Sequence, residues 1–487
     1  MMSETSVFIP SGPNDCAKLG PTGWTSCQDG AEVAIYGPVS GQVIGKAHAY
    51  TTHEVDEAIE KLEQGYQTWK RTLLVDRARL LHQWADKLQE NAPQLANLLM
   101  LEIAKNRRDS LDEIQRSADF IHYTAEEGLR LTGETLFGDA FPGQTREKVS
   151  MVGRVPLGVV LAIPPFNYPV NLAVTKIAPA LMGGNVVILK PPTQGAFAGM
   201  NITNLAYEAG IPDNVIIAVT GVGRVIGDYL VTHPKVNMIN FTGSTQTGQH
   251  IAQKAIMVPL LLELGGKDAA IVLPDADIDR ARDNIVSGAF SFSGQRCTAV
   301  KRVLVVKDIA DQLAAKVAEK VMALTVGNPE DDCVVTPLIS TQAADFVWDM
   351  INEAISQGAV SLTPLRREGN LVYPVVLDYV TRDMRVAWEE PFGPVLPIIR
   401  IDGSEEGVAL ANASEYGLQA AIFTQDVSRA FMLAEELDVG TVQINGKTSR
   451  GPDHFPFVGT KASGMGAQGV RYSLLAMTRL KSTVLNI

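Results

Sequence analysis

The stretch Val155-Pro156-Leu157-Gly158-Val159-Val160-Leu161-Ala162-Ile163, continued by Pro164-Pro165-Phe166-Asn167-Tyr168-Pro169 and by Val170 to Leu181, decides the fold class. A short β-branched run bounded by prolines reads as a buried strand, and the segment after Pro169 carries a helical pattern. Gly183-Gly184 ends that helix, and Asn185-Val186-Val187-Ile188-Leu189-Lys190 reads as the next strand. Strand, helix and strand make a crossover unit, which demands a parallel sheet. Toward the C terminus a further helix ends at Gly210, and strands are read at Val215–Val219 and Val236–Phe241. A second alternating run starts near Asp268, with strands Ala269–Leu273, Arg302–Val306, Val395–Ile399, Gln419–Phe423 and Thr441–Ile444. Helical patterns at Ala310–Leu324 and Thr341–Ser356 separate them. Toward the N terminus, His53 to Thr132 is mostly helical in period, and Gly133 to Arg146 has the composition of a loop. The class is α/β with two parallel sheets, and the boundary falls near Gly266.

The 487 residues allow two or three domains, and 46% hydrophobic with 20% charged residues is ordinary for a globular enzyme. A net charge of −12 spread along the chain argues against nucleic-acid binding and against adhesion to anionic membrane. No apolar run has the length of a membrane span. Met1-Met2-Ser3-Glu4-Thr5 lacks the basic and apolar parts of an export signal, so a cytoplasmic location is expected. Cys16, Cys27, Cys297 and Cys333 show no metal-ligand spacing, so no metal is expected. So few cysteines do not read as a disulfide framework, which favours a reducing compartment. Cys16, Cys27 and Cys333 are taken as packing or surface residues.

Two segments carry chemistry. Ser293-Gly294-Gln295-Arg296-Cys297-Thr298-Ala299 places a cysteine after a glycine, and Leu262-Glu263-Leu264-Gly265-Gly266-Lys267 places an acid at the end of an apolar run. Cysteine is the strongest side-chain nucleophile near neutral pH once it is a thiolate. Glu263 follows Pro259-Leu260-Leu261-Leu262, so it is expected in low dielectric, poised as a base. The alternative readings are a small buried hydrophobe for Cys297 and a strand-end charge reaching water for Glu263. The glycines beside both residues let main chain approach a ligand closely.

Candidate cofactor contacts lie at strand ends. Gly221-Val222-Gly223-Arg224-Val225-Ile226-Gly227 misses the dinucleotide fingerprint, because Ile226 stands at the third glycine's place; an ordinary strand-to-helix turn is the alternative. Phe241-Thr242-Gly243-Ser244 leaves a strand and opens a helix, as either a phosphate cradle or a capped helix start. Lys190 ends a strand where ligands bind parallel sheets, or is a solvated surface lysine.

Together with Pro165-Phe166-Asn167-Tyr168-Pro169, Lys190-Pro191, Gly294-Gln295-Arg296-Cys297 and Glu390-Pro391-Phe392-Gly393-Pro394, these segments resemble the aldehyde dehydrogenase superfamily over nearly the whole chain. The resemblance implies two Rossmann-related α/β domains plus a small β oligomerisation element. Residues 1–145 and 160–266 would bind cofactor, 267–460 would be catalytic, and 146–159 with 470–487 would form the oligomerisation element. It implies that Cys297 attacks an aldehyde, and that the Asn167 amide and the Cys297 N–H stabilise the oxyanion. Glu263 then activates water on the thioacyl enzyme, and can deprotonate Cys297 beforehand. Lys190 and Glu390 are implied ribose ligands, Ser244 a pyrophosphate contact reached through Gly243, and Phe392 a further cofactor neighbour. A homotetramer of paired dimers, assembled through Lys148–Pro156 and Lys481–Ile487, is implied as well.

Phe166-Asn167-Tyr168-Pro169-Val170-Asn171-Leu172-Ala173, Glu389 to Ile398 and Lys447-Thr448-Ser449-Arg450-Gly451-Pro452 look like the superfamily's non-phosphorylating glyceraldehyde-3-phosphate dehydrogenases. That branch would make Arg116, Tyr168, Arg296 and Arg450 the binders of a substrate phosphate, a dianion suited to guanidinium forks and a phenol. Arg116 could equally be a solvated helix arginine. The implied reaction turns D-glyceraldehyde 3-phosphate, NADP+ and water into 3-phosphoglycerate and NADPH. Another hydrolytic aldehyde dehydrogenase, for instance one acting on succinate semialdehyde, is the alternative.

NAD-preferring relatives usually carry a glutamate three positions after the motif lysine, where Thr193 stands here. A carboxylate would repel a 2′-phosphate, whereas a hydroxyl donates to it, so NADP is the expected cofactor. Thr193→Glu should move the kcat/KM ratio toward NAD; steady-state rates with both nucleotides that keep the parent preference would sink the assignment.

Overall fold

The computed structural model describes residues 6–21, 23–27 and 31–487. The pentapeptide Met1–Thr5, read above for an export signal, lies outside the described residues. Two larger sheets organise the molecule. The first has six strands, ordered Gly464–Met465, Leu260–Glu263, Val236–Thr242, Val159–Ile163, Val186–Leu189 and Ile216–Ala218. Its neighbours run parallel except Gly464–Met465, which returns antiparallel on Leu260–Glu263. The second has seven strands, with Arg302–Val306 and Gln419–Phe423 flanking Ala269–Val272 in parallel.

Strand order in the first sheet reverses between Val159–Ile163 and Val236–Thr242, and such a switch point opens a crevice at the strands' carboxyl ends. That edge carries Asn167, Lys190, Gly243-Ser244 and Glu263, each just beyond or at the end of its strand. Cys297 lies before Arg302–Val306, at the amino end of the second sheet. The site therefore forms where the carboxyl edge of one sheet meets the amino edge of the other.

Several expectations need correction. Val155 to Ile163 is two strands, Lys148–Pro156 and Val159–Ile163, because Gly158 at φ 136° turns the chain between them. Asn237 Oδ1 takes the Val159 N–H at 2.8 Å beside that turn. Glu134–Phe137, read as loop, pairs antiparallel with Lys148–Pro156, which also carries Thr478–Asn486 in a three-stranded sheet. Its composition misled because the strand is exposed throughout and has no apolar face to signal. A four-stranded sheet spanning Cys16 to His48 also went unread. Within it Cys16 and Cys27 form a disulfide, contrary to the reading of both as packing or surface residues. The strands Cys16–Gly20 and Gly23–Ser26 fold back on each other and bring the two Cα atoms to 5.4 Å. Cysteine count therefore carries no argument about compartment here. No described helix is long and apolar enough to cross a membrane.

Asn185 is fully buried and joins three elements. Its Oδ1 accepts from Leu157 N at 2.7 Å and Gly158 N at 3.0 Å, and its Nδ2 donates to Ala180 O at 3.0 Å and Met477 O at 2.8 Å. It thus fixes the Gly158 turn, the end of the helix Asn171–Met182 and the start of the C-terminal strand. Asn185→Ala would strand buried polar groups at about 1–3 kcal/mol each. Thermal unfolding should therefore occur several degrees lower, and a melting curve that overlays the parent's would contradict this account.

Candidate active site

Cys297 sits beyond a strained turn. Phe292 (φ 49°), Ser293 (φ 55°) and Gly294 (φ 71°) are successive left-handed residues, the first two at an energetic disadvantage of roughly 1–3 kcal/mol each. Surrounding contacts hold them there. Ser293 Oγ donates to Thr336 O and accepts from Thr336 N, both at 2.8 Å. A side chain at Gly294 would strike the Gly393 carbonyl. Arg296 and Thr298 are buried, while Cys297 between them stays partly accessible. Lys301 donates to the Cys297 carbonyl and ion-pairs with Glu390 at 2.9 Å. Burial pushes the thiol up to about 11; Lys301 opposes that rise, and Glu263, Glu390 and Asp268 add to it.

Glu263 ends its strand with Thr242 and Gly464 as register partners. Leu261 and Leu262 face the core as expected, but the carboxylate is not in an apolar setting. Arg450 Nη1 donates to both of its oxygens, at 3.1 and 2.9 Å, and Thr242 Oγ1 donates to Oε2 at 3.1 Å. Lys176, wholly buried, donates to Thr242 Oγ1 at 2.6 Å and to Asn240 Oδ1 at 3.0 Å. Gln468 Nε2 also donates to Asn240 Oδ1, at 3.2 Å, and Gln468 Oε1 accepts from Arg450 Nη2 at 2.7 Å. These six side chains, the candidate base among them, close a ring. Burial lowers Lys176 to about 7, against the pull of Glu263.

The Asn167 amide donates to Gln295 O at 2.8 Å, which ties it to the loop that carries Cys297. Lys105 Nζ donates to Asn167 O at 2.6 Å, pairs with buried Glu113, and lies 3.6 Å over the Tyr168 ring. Glu113 in turn accepts from Val170 N at 2.9 Å and Asn171 N at 3.0 Å, at the N terminus of the helix Asn171–Met182. A carboxylate is favoured there by the helix dipole.

The residues read as cofactor ligands fit a nucleotide. Buried Lys190, brought down to about 8 by desolvation, donates only to the neighbouring Pro191 carbonyl among the described residues, so ammonium donors stay free. Thr193 lies three residues on, where its carbonyl accepts from Ala196 N. Ser244 is the exposed N-cap of the helix Thr245–Lys254, as the capped-helix reading expected. A side chain at Gly265 would strike the Glu390 carboxylate, which accepts from Gly266 N at 3.2 Å. Phe392, at φ 48°, meets Phe166 edge-on at 5.9 Å. Glu390 is thus held by Lys301 and Gly266, at the join between nucleophile loop and cofactor edge.

Arg116 and Arg450 line one cavity of about 530 Å³, together with Tyr123, Asp453 and His454. Both are paired: Arg116 grips Asp453 at 2.5 and 2.8 Å, and Arg450 holds Glu263. Burial pushes the Asp453 carboxyl up, but Arg116 and Arg450 together outweigh it and hold the group low. Gln419 clamps Ser449 in both directions, at 2.9 and 3.0 Å, and so fixes the loop before Arg450. Tyr168 does not line that cavity; its ring meets Phe292 edge-on at 6.3 Å and lies under Lys105 Nζ. Arg296 is buried apart from that cavity's wall, donating to Gly288 O, with Nε unpartnered and no ion pair among the described residues.

Sequence reasoning missed Lys105, Glu113, Lys176, Lys301, Asp453 and Gln468. Lys176 had a signal, as the one charge in the otherwise apolar helix Asn171–Met182. Glu113 and Gln468 had none, because only the folded chain brings them to their partners.

Residues 24–483 match the family model described as the aldehyde dehydrogenase family. The NADP-dependent glyceraldehyde-3-phosphate dehydrogenase of Streptococcus equinus is 53% identical, covering 94% of this chain and 96% of that protein. The enzyme of the same name from Nicotiana plumbaginifolia is 49% identical, covering 100% and 98%. The crystal structure of the NADP-dependent glyceraldehyde-3-phosphate dehydrogenase from Bacillus halodurans C-125, complexed with NADP, superposes with a TM-score of 0.95 at 52% identity, covering 97% and 99%.

The raised thiol has a direct test. With Cys297 displaced to about 11, the cofactor-free enzyme should be alkylated by iodoacetamide about tenfold faster per pH unit between pH 7 and 9, because only thiolate reacts. A plateau near pH 7, absent in Cys297→Ala, would contradict the displacement.

Proposed function

The chain belongs to the aldehyde dehydrogenase family, and on that premise we propose that it oxidises D-glyceraldehyde 3-phosphate to 3-phosphoglycerate with NADP+ and water. The observation that carries the substrate is the cavity walled by Arg116 and Arg450, two guanidinium groups that can exchange a carboxylate partner for a phosphate dianion. The family resemblance assigns Arg296 and the Tyr168 phenol to the substrate phosphate as well, though neither lines that cavity. Lys190, Thr193, Gly243, Ser244, Glu390 and Phe392 are assigned to NADP.

The Cys297 thiol gives up its proton to solvent, and the sulfur attacks the aldehyde carbon. The oxygen that gains charge is met by the Asn167 amide, which the Gln295 bond keeps beside the nucleophile loop, and by the Cys297 N–H. Removing one such donor typically lowers rates roughly 100- to 1000-fold. Bound NADP+ supplies the acceptor for the two electrons and the hydrogen that leave the carbon. The acyl group then remains on Cys297 as a thioester. Glu263 takes a proton from water as the water oxygen bonds to the acyl carbon, and the carbon–sulfur bond breaks. The product is a free carboxylate, so no acyl phosphate forms.

Residues 1–145 and 160–266 are assigned to cofactor binding and 267–460 to catalysis. The exposed strand Thr478–Asn486 and its partner Lys148–Pro156 lie within the proposed oligomerisation element, residues 146–159 and 470–487. We assign a homotetramer in the cytoplasm, with an unpaired apolar edge supporting assembly.

Arg116→Ala should raise KM for glyceraldehyde 3-phosphate by roughly 10- to 100-fold, as expected for a charged hydrogen bond. KM for unphosphorylated glyceraldehyde should barely move, and both reactions should run to completion without inorganic phosphate. Equal losses on both aldehydes would remove the phosphate role, and dependence on added phosphate would remove the hydrolytic mechanism.

A further inference from the structure

The same guanidinium that the proposed function assigns to the substrate phosphate is the one that holds the catalytic carboxylate. Arg450 has five N–H donors. Nη1 donates to Glu263 through a contact shared by its two oxygens, Nη2 donates to Gln468 Oε1, and Nε faces Asp453 at 3.6 Å. All three nitrogens of the guanidinium thus face a carboxylate or an amide oxygen, and a phosphate dianion competes with them for it. Glu263 is likewise engaged: Oε1 accepts from Arg450, and Oε2 accepts from Arg450 and Thr242. These contacts occupy most of the roughly four acceptor sites of a carboxylate and hold the group in the ring. Both side chains are close to fully buried, at 11% and 5% exposure, so the pair does not dissolve into solvent by itself.

Resting on the phosphate reading, we propose that Arg450 is a latch on Glu263, and that the substrate's phosphate opens it by drawing the guanidinium to itself. Arg450 then acts twice, as a ligand of the phosphate and as a positioning residue for the base. Once released, Glu263 accepts the proton of the attacking water while the water oxygen bonds to the acyl carbon. The carbon–sulfur electron pair returns to Cys297, so atoms and charge balance without a further reactant. An aldehyde without phosphate is oxidised to the thioester but leaves the latch shut, and its hydrolysis is slow. Substrate selection thus operates at hydrolysis as well as at binding. On the far side of the ring, Lys176 holds Thr242, which donates to Glu263 Oε2 independently of Arg450.

The test supplies the phosphate in a separate piece. The native enzyme with saturating NADP+ and D-glyceraldehyde, an aldehyde that lacks the phosphate, is followed by stopped-flow NADPH absorbance with and without phosphite dianion. Sodium chloride matches the ionic strength. Without phosphite, a burst of about one NADPH per site should precede a slow steady rate. Phosphite should raise the steady rate at least tenfold more than it raises the burst rate. Arg450→Met should turn over glyceraldehyde with no phosphite response and with a faster post-burst phase than the native enzyme. Equal acceleration of burst and steady phases would overturn the latch, because phosphate would then only seat the aldehyde. Phosphite that competes with glyceraldehyde 3-phosphate yet leaves glyceraldehyde turnover unchanged would also overturn it, while sparing the phosphate site. Phosphite that neither competes nor activates, with Arg116→Ala affecting both aldehydes alike, would remove the phosphate reading itself and the latch with it.

Discussion

Charges that are buried where the two sheets meet must find partners, and the site is built from the way they do so. Lys105, Lys176, Lys301 and Glu263 are all removed from water. An unpaired buried charge is strongly disfavoured, and a broken pair is worse than none. Each cation is accordingly tied to a residue that the chemistry uses. Lys105 takes the Asn167 carbonyl, Lys301 takes the Cys297 carbonyl and Glu390, and Lys176 reaches Glu263 through Thr242. Arg450 completes the set. Satisfying the electrostatics of the interface and fixing the geometry of the reacting groups are therefore one requirement.

The strained turn follows from the same crowding. Three left-handed residues in a row bring the chain out of the helix Ile278–Phe290 and into the narrow space below Gly393. Only Gly294 takes that conformation without strain, and it is also where a Cβ would meet backbone. Phe392 answers with its own left-handed backbone on the opposite wall. Local strain of this kind persists only where surrounding contacts over-determine it, as Thr336 does for Ser293.

What could be read from sequence was what is local. The strands Arg302–Val306, Gln419–Phe423 and Thr441–Ile444 and the helix Thr341–Ser356 stand at the expected residues, because continuous apolar runs and helical periodicity are written in neighbouring positions. Lys190, Ser244, Asn167 and Cys297 were legible because each follows a strand or a glycine in a short motif. The exposed strand Glu134–Phe137 was not, since no buried face imprints alternation on it. Nor was the ring around Glu263. Its members come from positions 176, 240, 242, 263, 450 and 468; the register of Val236–Thr242 against Leu260–Glu263 sets Thr242 beside Glu263, and Lys176, Arg450 and Gln468 arrive from three other segments.

The expectation of an isolated base in an apolar pocket and the observed ion pair lead to different chemistry. An isolated buried carboxylate would be ready at all times, and would hydrolyse any thioester formed on Cys297. A carboxylate engaged at both oxygens by a guanidinium and a hydroxyl is ready only after that guanidinium moves. The cysteine shows the same reserve, since burial holds its thiol at about 11 and leaves little thiolate at neutral pH. Nucleophile and base are therefore both quiescent in the substrate-free enzyme. Arg450 stands in the cavity wall and in the ring at once, so an anion bound in the cavity acts on Glu263 through a single side chain. Recognition of one end of the substrate and chemistry at the other are joined there by one ion pair, without a larger movement of the fold.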